Sequence, residues 1–227
     1  MGLAFGISPP SPVHSVLMFV VFEGGDGVGK STQINQVSRV LTQRGIAHIT
    51  TREPGGTPPA EAVRRALLYE KDQPWPLWAE VFLLAAARAH HVAHVIRPAL
   101  DRGDWVLCDR FTESTRAYQY QAYAENPALF DAIVHQATGG LTPDVTFVFL
   151  LEAGERLSHR PSHQDDCFES RNAHFQHQVT AHFANLARNP PADYMVLQAD
   201  QPVAQITQTI VGALLTKHMG RISTPRA

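Results

Sequence analysis

Gly24-Gly25-Asp26-Gly27-Val28-Gly29-Lys30-Ser31 fits the pattern G-x-x-x-x-G-K-[ST] without a gap. Glycines at these spacings let a backbone wrap tightly and aim successive N–H groups at phosphate oxygens. A helix beginning near Lys30 adds the positive end of its dipole. Lys30 is long enough to reach β- and γ-phosphates, and the Ser31 hydroxyl can join a magnesium shell. The chemistry is binding of a nucleoside triphosphate. The loop alone does not separate a kinase from a GTPase or an ATPase. Its bland alternative is a glycine-rich turn with a chance Lys-Ser, which the strand-like run before it and the helical pattern after it oppose.

A second candidate pair is Asp109-Arg110, at the end of the apolar run Trp105 to Cys108. In open parallel sheets ligands gather outside the carboxyl ends of the strands. A carboxylate there can hold magnesium through water, and an arginine can meet phosphate bidentately. The alternative is an Asp that caps a helix beside a surface Arg.

The elements that would position these residues follow from periodicity. Val16 to Phe22 is a continuous apolar, β-branched run, the pattern of a strand buried on both faces. Further strands are expected at Ala47–Thr51, Trp105–Cys108, Val145–Leu151 and Tyr194–Leu197. Helical spacing puts Ile34, Val37, Val40 and Leu41 on one face of a helix ending near Arg44-Gly45, and covers Ala60 to Tyr69, Leu77 to Leu100 with Pro98 straining its end, stretches through Tyr123, Pro127 to Thr138, and Val203 to Leu215. Residues 152–190 read as helix, mobile segment, helix. Alternation of strand and helix predicts an α/β fold with a five-stranded parallel sheet. At 227 residues, with no interior stretch of linker composition, one domain is expected over 18–218. Residues 1–17 are read as a disordered extension, with Met18 an alternative start of translation, and 219–227 as a tail.

Composition excludes several classes. Nineteen Lys+Arg against 21 Asp+Glu leave no basic excess for a nucleic-acid backbone. No apolar run is long enough for a membrane helix, and two cysteines, Cys108 and Cys167, suit a reducing cytoplasm.

Beyond these features, five segments resemble the thymidylate kinase family in order and approximate spacing over residues 18–218. They are Phe22-Glu-Gly-Gly-Asp-Gly-Val-Gly-Lys-Ser-Thr32, Thr51-Arg-Glu-Pro-Gly-Gly-Thr57, Ala86-Ala-Arg88, Asp109-Arg-Phe111 with Ser114-Thr-Arg-Ala-Tyr-Gln119, and Pro143-Asp144. The second and fourth are far more specific than the phosphate loop. The resemblance implies the P-loop nucleoside monophosphate kinase fold, a five-stranded parallel sheet with helices on both faces and a short lid at about 153–170. It implies transfer of the γ-phosphoryl of ATP to dTMP, giving dTDP and ADP for dTTP biosynthesis, with Mg2+, in a homodimer.

Roles carry over residue by residue. Gly24 to Ser31 with Thr32 would cradle ATP phosphates, with Lys30 catalytic. Asp26 falls where the family places a carboxylate near the transferring phosphoryl and magnesium. Arg110 would hold the dTMP phosphate, with Arg52, Glu53 and Pro54 lining the same floor. Arg88 would contact the thymine edge. Ser114, Thr115, Tyr118 and Gln119 would shape the sugar and base pocket, with Tyr118 against the deoxyribose. Asp166 belongs to the lid's substrate contacts, and Ser31 with Asp109 to the metal.

The chain also departs from the family. Asp166-Cys-Phe-Glu169 puts Cys167 where the lid usually has an arginine, and Val28 stands in the loop where one subgroup carries its arginine. The remaining lid arginines are Arg156, Arg160 and Arg171, and position favours Arg160 as catalytic. Leu84 replaces a Phe that stacks on thymine, with Phe82 on a different helical face. Tyr120-Gln-Ala-Tyr-Ala124 replaces a Gly-rich basic loop, and Leu150 replaces a strand-end Asp. These departures leave open a paralogue that binds ATP with weak, altered or lost transfer. A GTPase would carry an Asn-Lys-x-Asp motif, which is absent.

Twelve histidines include His159, His163 and Cys167 at spacings of four, and His174 and His177 at three, which could face a metal on a helix; a polar, solvated surface is the simpler reading. His90, His91 and His94 are expected on a helix surface or dimer interface, and Cys108 as a small buried hydrophobe.

Overall fold

The computed structural model describes residues 17–69, 75–151 and 173–223. Its strands are β1 (Phe19–Gly24), β2 (His48–Arg52), β3 (Trp105–Asp109), β4 (Val145–Leu150) and β5 (Tyr194–Gln198). All pair in parallel in the order β2-β3-β1-β4-β5. The expected five-stranded parallel sheet is therefore present, and the chain crosses from one side of β1 to the other between β3 and β4.

Every residue of β1 is buried, because helices cover both faces. Side chains alternate across a strand. Val20 and Phe22 join the cluster made with Ile34, Val37 and Leu41 of α1 (Lys30–Gln43) and Ile206, Ile210 and Leu214 of α9 (Val203–Ser223). Phe19 and Val21 point to the opposite cluster, with Val92, Ile96, Ala99 and Leu100. The remaining helices are α2 (Pro58–Leu68), α3 (Leu77–His91), α4 (Arg97–Asp101), α5 (Thr112–Tyr118), α6 (Tyr120–Glu125), α7 (Pro127–Thr138) and α8 (Ala173–Arg188). On α8, Phe175, Val179 and Phe183 pack with Tyr118, Leu84 and Val148.

Local chemistry explains the boundaries. Thr57 caps α2, accepting from Ala60 N, and Pro58 opens the helix. Asn126 caps α7 in the same way, and Gly139 ends it in the left-handed region. The long helix expected from Leu77 to Leu100 is interrupted by a π-turn at Val92–Ile96 before α4 resumes. Pro98 has no N–H for the carbonyl four residues back, and a wider turn just ahead of it accommodates the loss. The closing helix runs on past Leu215 to Ser223, because no proline or cap signal stops it there.

No helix among the described residues is long and apolar enough to cross a membrane. Residues 1–16, 70–74, 152–172 and 224–227 lie outside the description, and with them the expected lid, Arg156, Arg160, Asp166, Cys167, Arg171 and the His159–His163–Cys167 set.

Candidate active site

The sheet's register brings three strand ends together. Phe22 of β1 pairs with Asp109 of β3, and Arg52 of β2 pairs with the same Asp109. Two backbone bonds carry the convergence past the strands. Arg110 N donates to Phe22 O at 2.9 Å, and Glu53 N donates to Asp109 O at 2.9 Å. The phosphate loop, the Arg52-Glu53-Pro54 segment and Asp109-Arg110 thus share one rim, at the point where the strand order reverses.

The loop between β1 and α1 has the geometry of an anion cradle. Gly24 has φ of +140°, and a Cβ there would lie 2.6 Å from Phe149 O, so only glycine lets the loop leave β1 beside β4. Gly29, the residue before α1, is left-handed at φ 89°, and no side chain caps the helix. The first-turn N–H groups of α1 are therefore unspent by a cap and free for phosphate oxygens. Lys30 is buried and folds back over the loop, donating to Gly24 O at 3.0 Å and Gly25 O at 2.6 Å. Burial first, and then the Arg110 charge, push its ammonium down to about 8, outweighing Asp109, Asp26 and Glu23.

Ser31 Oγ donates to Asp109 Oδ2 at 2.9 Å, while Asp109 Oδ1 is buried with no hydrogen-bond partner among the described residues. A hydroxyl and a carboxylate with an orphaned buried oxygen form a hard, oxygen-rich pair that suits magnesium. Asp109 does not cap α5, whose preceding residue is Phe111 and which has no side-chain cap. The capping alternative is thereby set aside.

Arg110 is the one non-glycine residue with positive φ, at 69°, among the described residues. That uncommon backbone state aims the guanidinium back across the loop. It donates to Gly24 O at 2.8 Å and Ser114 Oγ at 3.0 Å, pairs with Asp26, and lies 5.1 Å from the Tyr118 ring centroid. The Tyr118 hydroxyl donates to the other Asp26 oxygen. Burial works against the Arg110 charge, yet Tyr118, Asp26, Asp109 and Glu23 hold it above its ordinary value. Asp26, despite burial that favours its neutral form, is held below the usual carboxylate range by Arg110, Lys30 and the Tyr118 bond.

Beside this cluster lies a cavity of ≈ 290 Å³ lined by Asp26, Arg52, Glu53, Pro54, Leu84, Arg88, Arg110, Ser114, Thr115, Tyr118 and Gln119, among others. All of the candidate acceptor-site residues outside the lid are therefore brought to one hollow. Leu84 faces into it, while Phe82 is 54% exposed on the outer face of α3. Arg88 donates from Nε to Glu53 Oε2 at 2.7 Å and from Nη2 to Phe111 O and Thr115 Oγ1, both at 2.9 Å. Arg52 pairs with Glu61 at 3.1 Å.

Three contributors were missed in the sequence. Glu23, fully buried at the end of β1, accepts from Phe111 N at 2.8 Å, Ser114 N at 3.1 Å and Ser114 Oγ at 2.6 Å, so it pins the start of α5 under the site. A charged residue closing an apolar strand was the available signal. His91 was expected on a helix surface and is instead fully buried, with Nδ1 3.0 Å from Glu53 Oε1 and Nε2 2.6 Å from Thr51 Oγ1. It lies on the α3 face that also carries Glu80, Leu84 and Arg88, a helical spacing that reads as inward. Glu80 is the third, bonded to Gln119.

Comparison with known proteins identifies the family. The thymidylate kinase family model matches residues 22–210. This chain belongs to the thymidylate kinase family. It is 41% identical to the thymidylate kinase of Methylococcus capsulatus over 207 residues, covering 88% of this chain and 98% of that protein. It is 39% identical to that of Teredinibacter turnerae over 197 residues, covering 86% and 96%. Among solved structures, the thymidylate kinase of Ehrlichia chaffeensis superposes with a TM-score of 0.69 at 27% identity, covering 87% of this chain and 98% of that one. The P-loop kinase fold implied by the sequence is thus the fold observed.

Proposed function

We propose that this protein transfers the γ-phosphoryl group of ATP to dTMP, with ATP on the phosphate loop and dTMP in the adjoining cavity. The observation that carries the reading is the shared rim: Lys30, Arg110 and the Ser31–Asp109 pair converge where two phosphate-bearing substrates would meet end to end. Phosphoryl transfer asks a protein mainly for positioning and charge neutralisation.

The loop N–H groups and the start of α1 hold the ATP phosphates, and Lys30 leaves Gly24 and Gly25 to meet their oxygens. Arg110 holds the acceptor phosphate, exchanging its contact with Asp26 for the incoming anion. Arg52, Glu53 and Pro54 form the floor, Tyr118 borders the sugar, and Leu84, Arg88, Thr115 and Gln119 enclose the base. Ser31 and Asp109 would hold Mg2+, which would supply charge neutralisation for the transferring phosphoryl group. Exposed Phe82 on the outer face of α3, with the Trp78 ring 6.4 Å away, supports a homodimer through that helix. A reducing cytoplasm suits the buried free thiol of Cys108.

A coupled ADP-release assay with ATP and Mg2+ across dTMP, dUMP, dCMP, AMP and GMP tests the reading. Fastest turnover with dTMP is expected. Turnover that does not depend on dTMP, or that prefers a purine acceptor, would overturn it.

A further inference from the structure

Glu80, Leu84, Arg88 and His91 follow one another along the inner face of α3, and all are buried. Gln119, at the C-terminal end of α5, is 1% exposed and lines the cavity. Its Nε2 donates to Glu80 Oε2 at 3.1 Å. An ionised carboxylate accepts hydrogen bonds and donates none, so the amide nitrogen is the end of Gln119 that must face it. The amide oxygen is thereby committed to the other direction. That oxygen, Gln119 Oε1, is buried and has no hydrogen-bond partner among the described residues. A buried amide oxygen left unpaired is costly, and in a cavity wall it calls for a donor from whatever fills the cavity.

We infer that Glu80 is a positioning residue that sets the polarity of the Gln119 amide, so that the cavity offers an acceptor to a ring N–H of the bound base. This rests on the acceptor-nucleotide reading above and deepens it. The ligand class is a pyrimidine whose N3 carries a proton between two carbonyls. A pyrimidine with a bare N3 and an exocyclic amine would set its lone pair against Gln119 Oε1 and be rejected. Glu80 touches no part of the ligand; it acts through Gln119.

The test compares dUMP with dCMP, which both lack the 5-methyl group and differ at the edge in question. The kcat/KM ratio for the two, and the KM for ATP, are measured in the wild type, Glu80→Gln, Gln119→Leu and the double variant. Glu80→Gln keeps shape but can donate, which frees the Gln119 amide to turn over. It is expected to lower the dUMP-over-dCMP preference about 10-fold, with KM for ATP unchanged. In the Gln119→Leu background the same change is expected to alter the preference by less than about twofold, because the intermediary is gone. If Glu80→Gln does not fold, Glu80→Ala enters the same cycle. An undiminished preference in the Glu80 variant, or an equal loss in both backgrounds, would overturn the inference while leaving dTMP phosphorylation by the wild type intact. A wild type that neither phosphorylates nor binds dTMP would overturn both readings.

Discussion

Lys30 offers a prediction whose magnitude comes directly from its surroundings. In the free protein its ammonium is depressed from 10.5 to about 8, by burial first and the Arg110 charge second. That displacement corresponds to roughly 3 kcal/mol of disfavour for the charged form. At pH 9 only about one-tenth of the free protein would carry the Lys30 charge, whereas an ordinary lysine would remain almost wholly charged. Since kcat/KM reports the free enzyme, kcat/KM for ATP should fall about tenfold between pH 7 and pH 9. Bound phosphates favour the ammonium, so kcat at saturating ATP should hold to higher pH. The assay is a set of initial rates at fixed Mg2+ with dTMP held well below its KM, so that the species meeting ATP is the free enzyme. Lys30→Arg, slower overall, should lose the alkaline fall, because its guanidinium stays charged. A wild-type kcat/KM profile that is level to pH 9.5, or the same fall in Lys30→Arg, would refute the reasoning. Stability carries the matching sign. Between about pH 8 and 10.5 the unfolded chain binds the extra proton, so this lysine's cost to folding fades as pH rises through that window.

Three further outcomes are expected. Asp109→Asn removes the charge next to Ser31 and should raise the Mg2+ concentration for half-maximal rate about 10-fold or more; an unchanged requirement in a Mg2+ titration would take Asp109 out of the metal site. Glu23→Ala strands two backbone N–H groups and the Ser114 hydroxyl, so urea unfolding should show a loss of roughly 3–6 kcal/mol, and a loss below ~1 kcal/mol would contradict the bonding described. His91→Leu leaves Glu53 and Thr51 short of a partner; about 2–4 kcal/mol of stability should go, and KM for dTMP should rise with kcat nearly kept, whereas an unaltered KM would detach His91 from Arg88 positioning.

What was readable in advance follows the range of the interactions involved. The phosphate loop is contiguous, so strand, glycines, Lys30 and Ser31 could be recognised together. Asp109-Arg110 could be placed because it ends an apolar strand, and pairing with β1 then fixes its distance from the loop. Four of the five strands are legible because each is short and apolar between helical patterns, whereas β2 is largely polar and shows only its β-branched centre. By contrast, Glu23 meets Ser114 across 91 positions, and His91 meets Glu53 across 38. No local spacing announces such bonds. His91 was misread because three histidines near one another suggest a wet surface, although its spacing from Leu84 and Arg88 already placed it inward. The π-turn before Pro98 was foreseen only as strain, since a proline tells where a helix is disturbed and not how the backbone absorbs it. Glu80 gives no local signal because Gln119, which it bonds, lies 39 positions along the chain, between α5 and α6.

The central claim is that the acceptor nucleotide lies in the cavity between α3 and α5 with its phosphate at the strand ends. A crystal structure of the protein with dTMP measures this directly. The account predicts the thymine ring on Leu84 against Arg88 and Gln119, the sugar beside Tyr118, and the phosphate on Arg110 with Asp26 released. A dTMP molecule bound elsewhere, or a cavity left vacant at saturating dTMP, would contradict it.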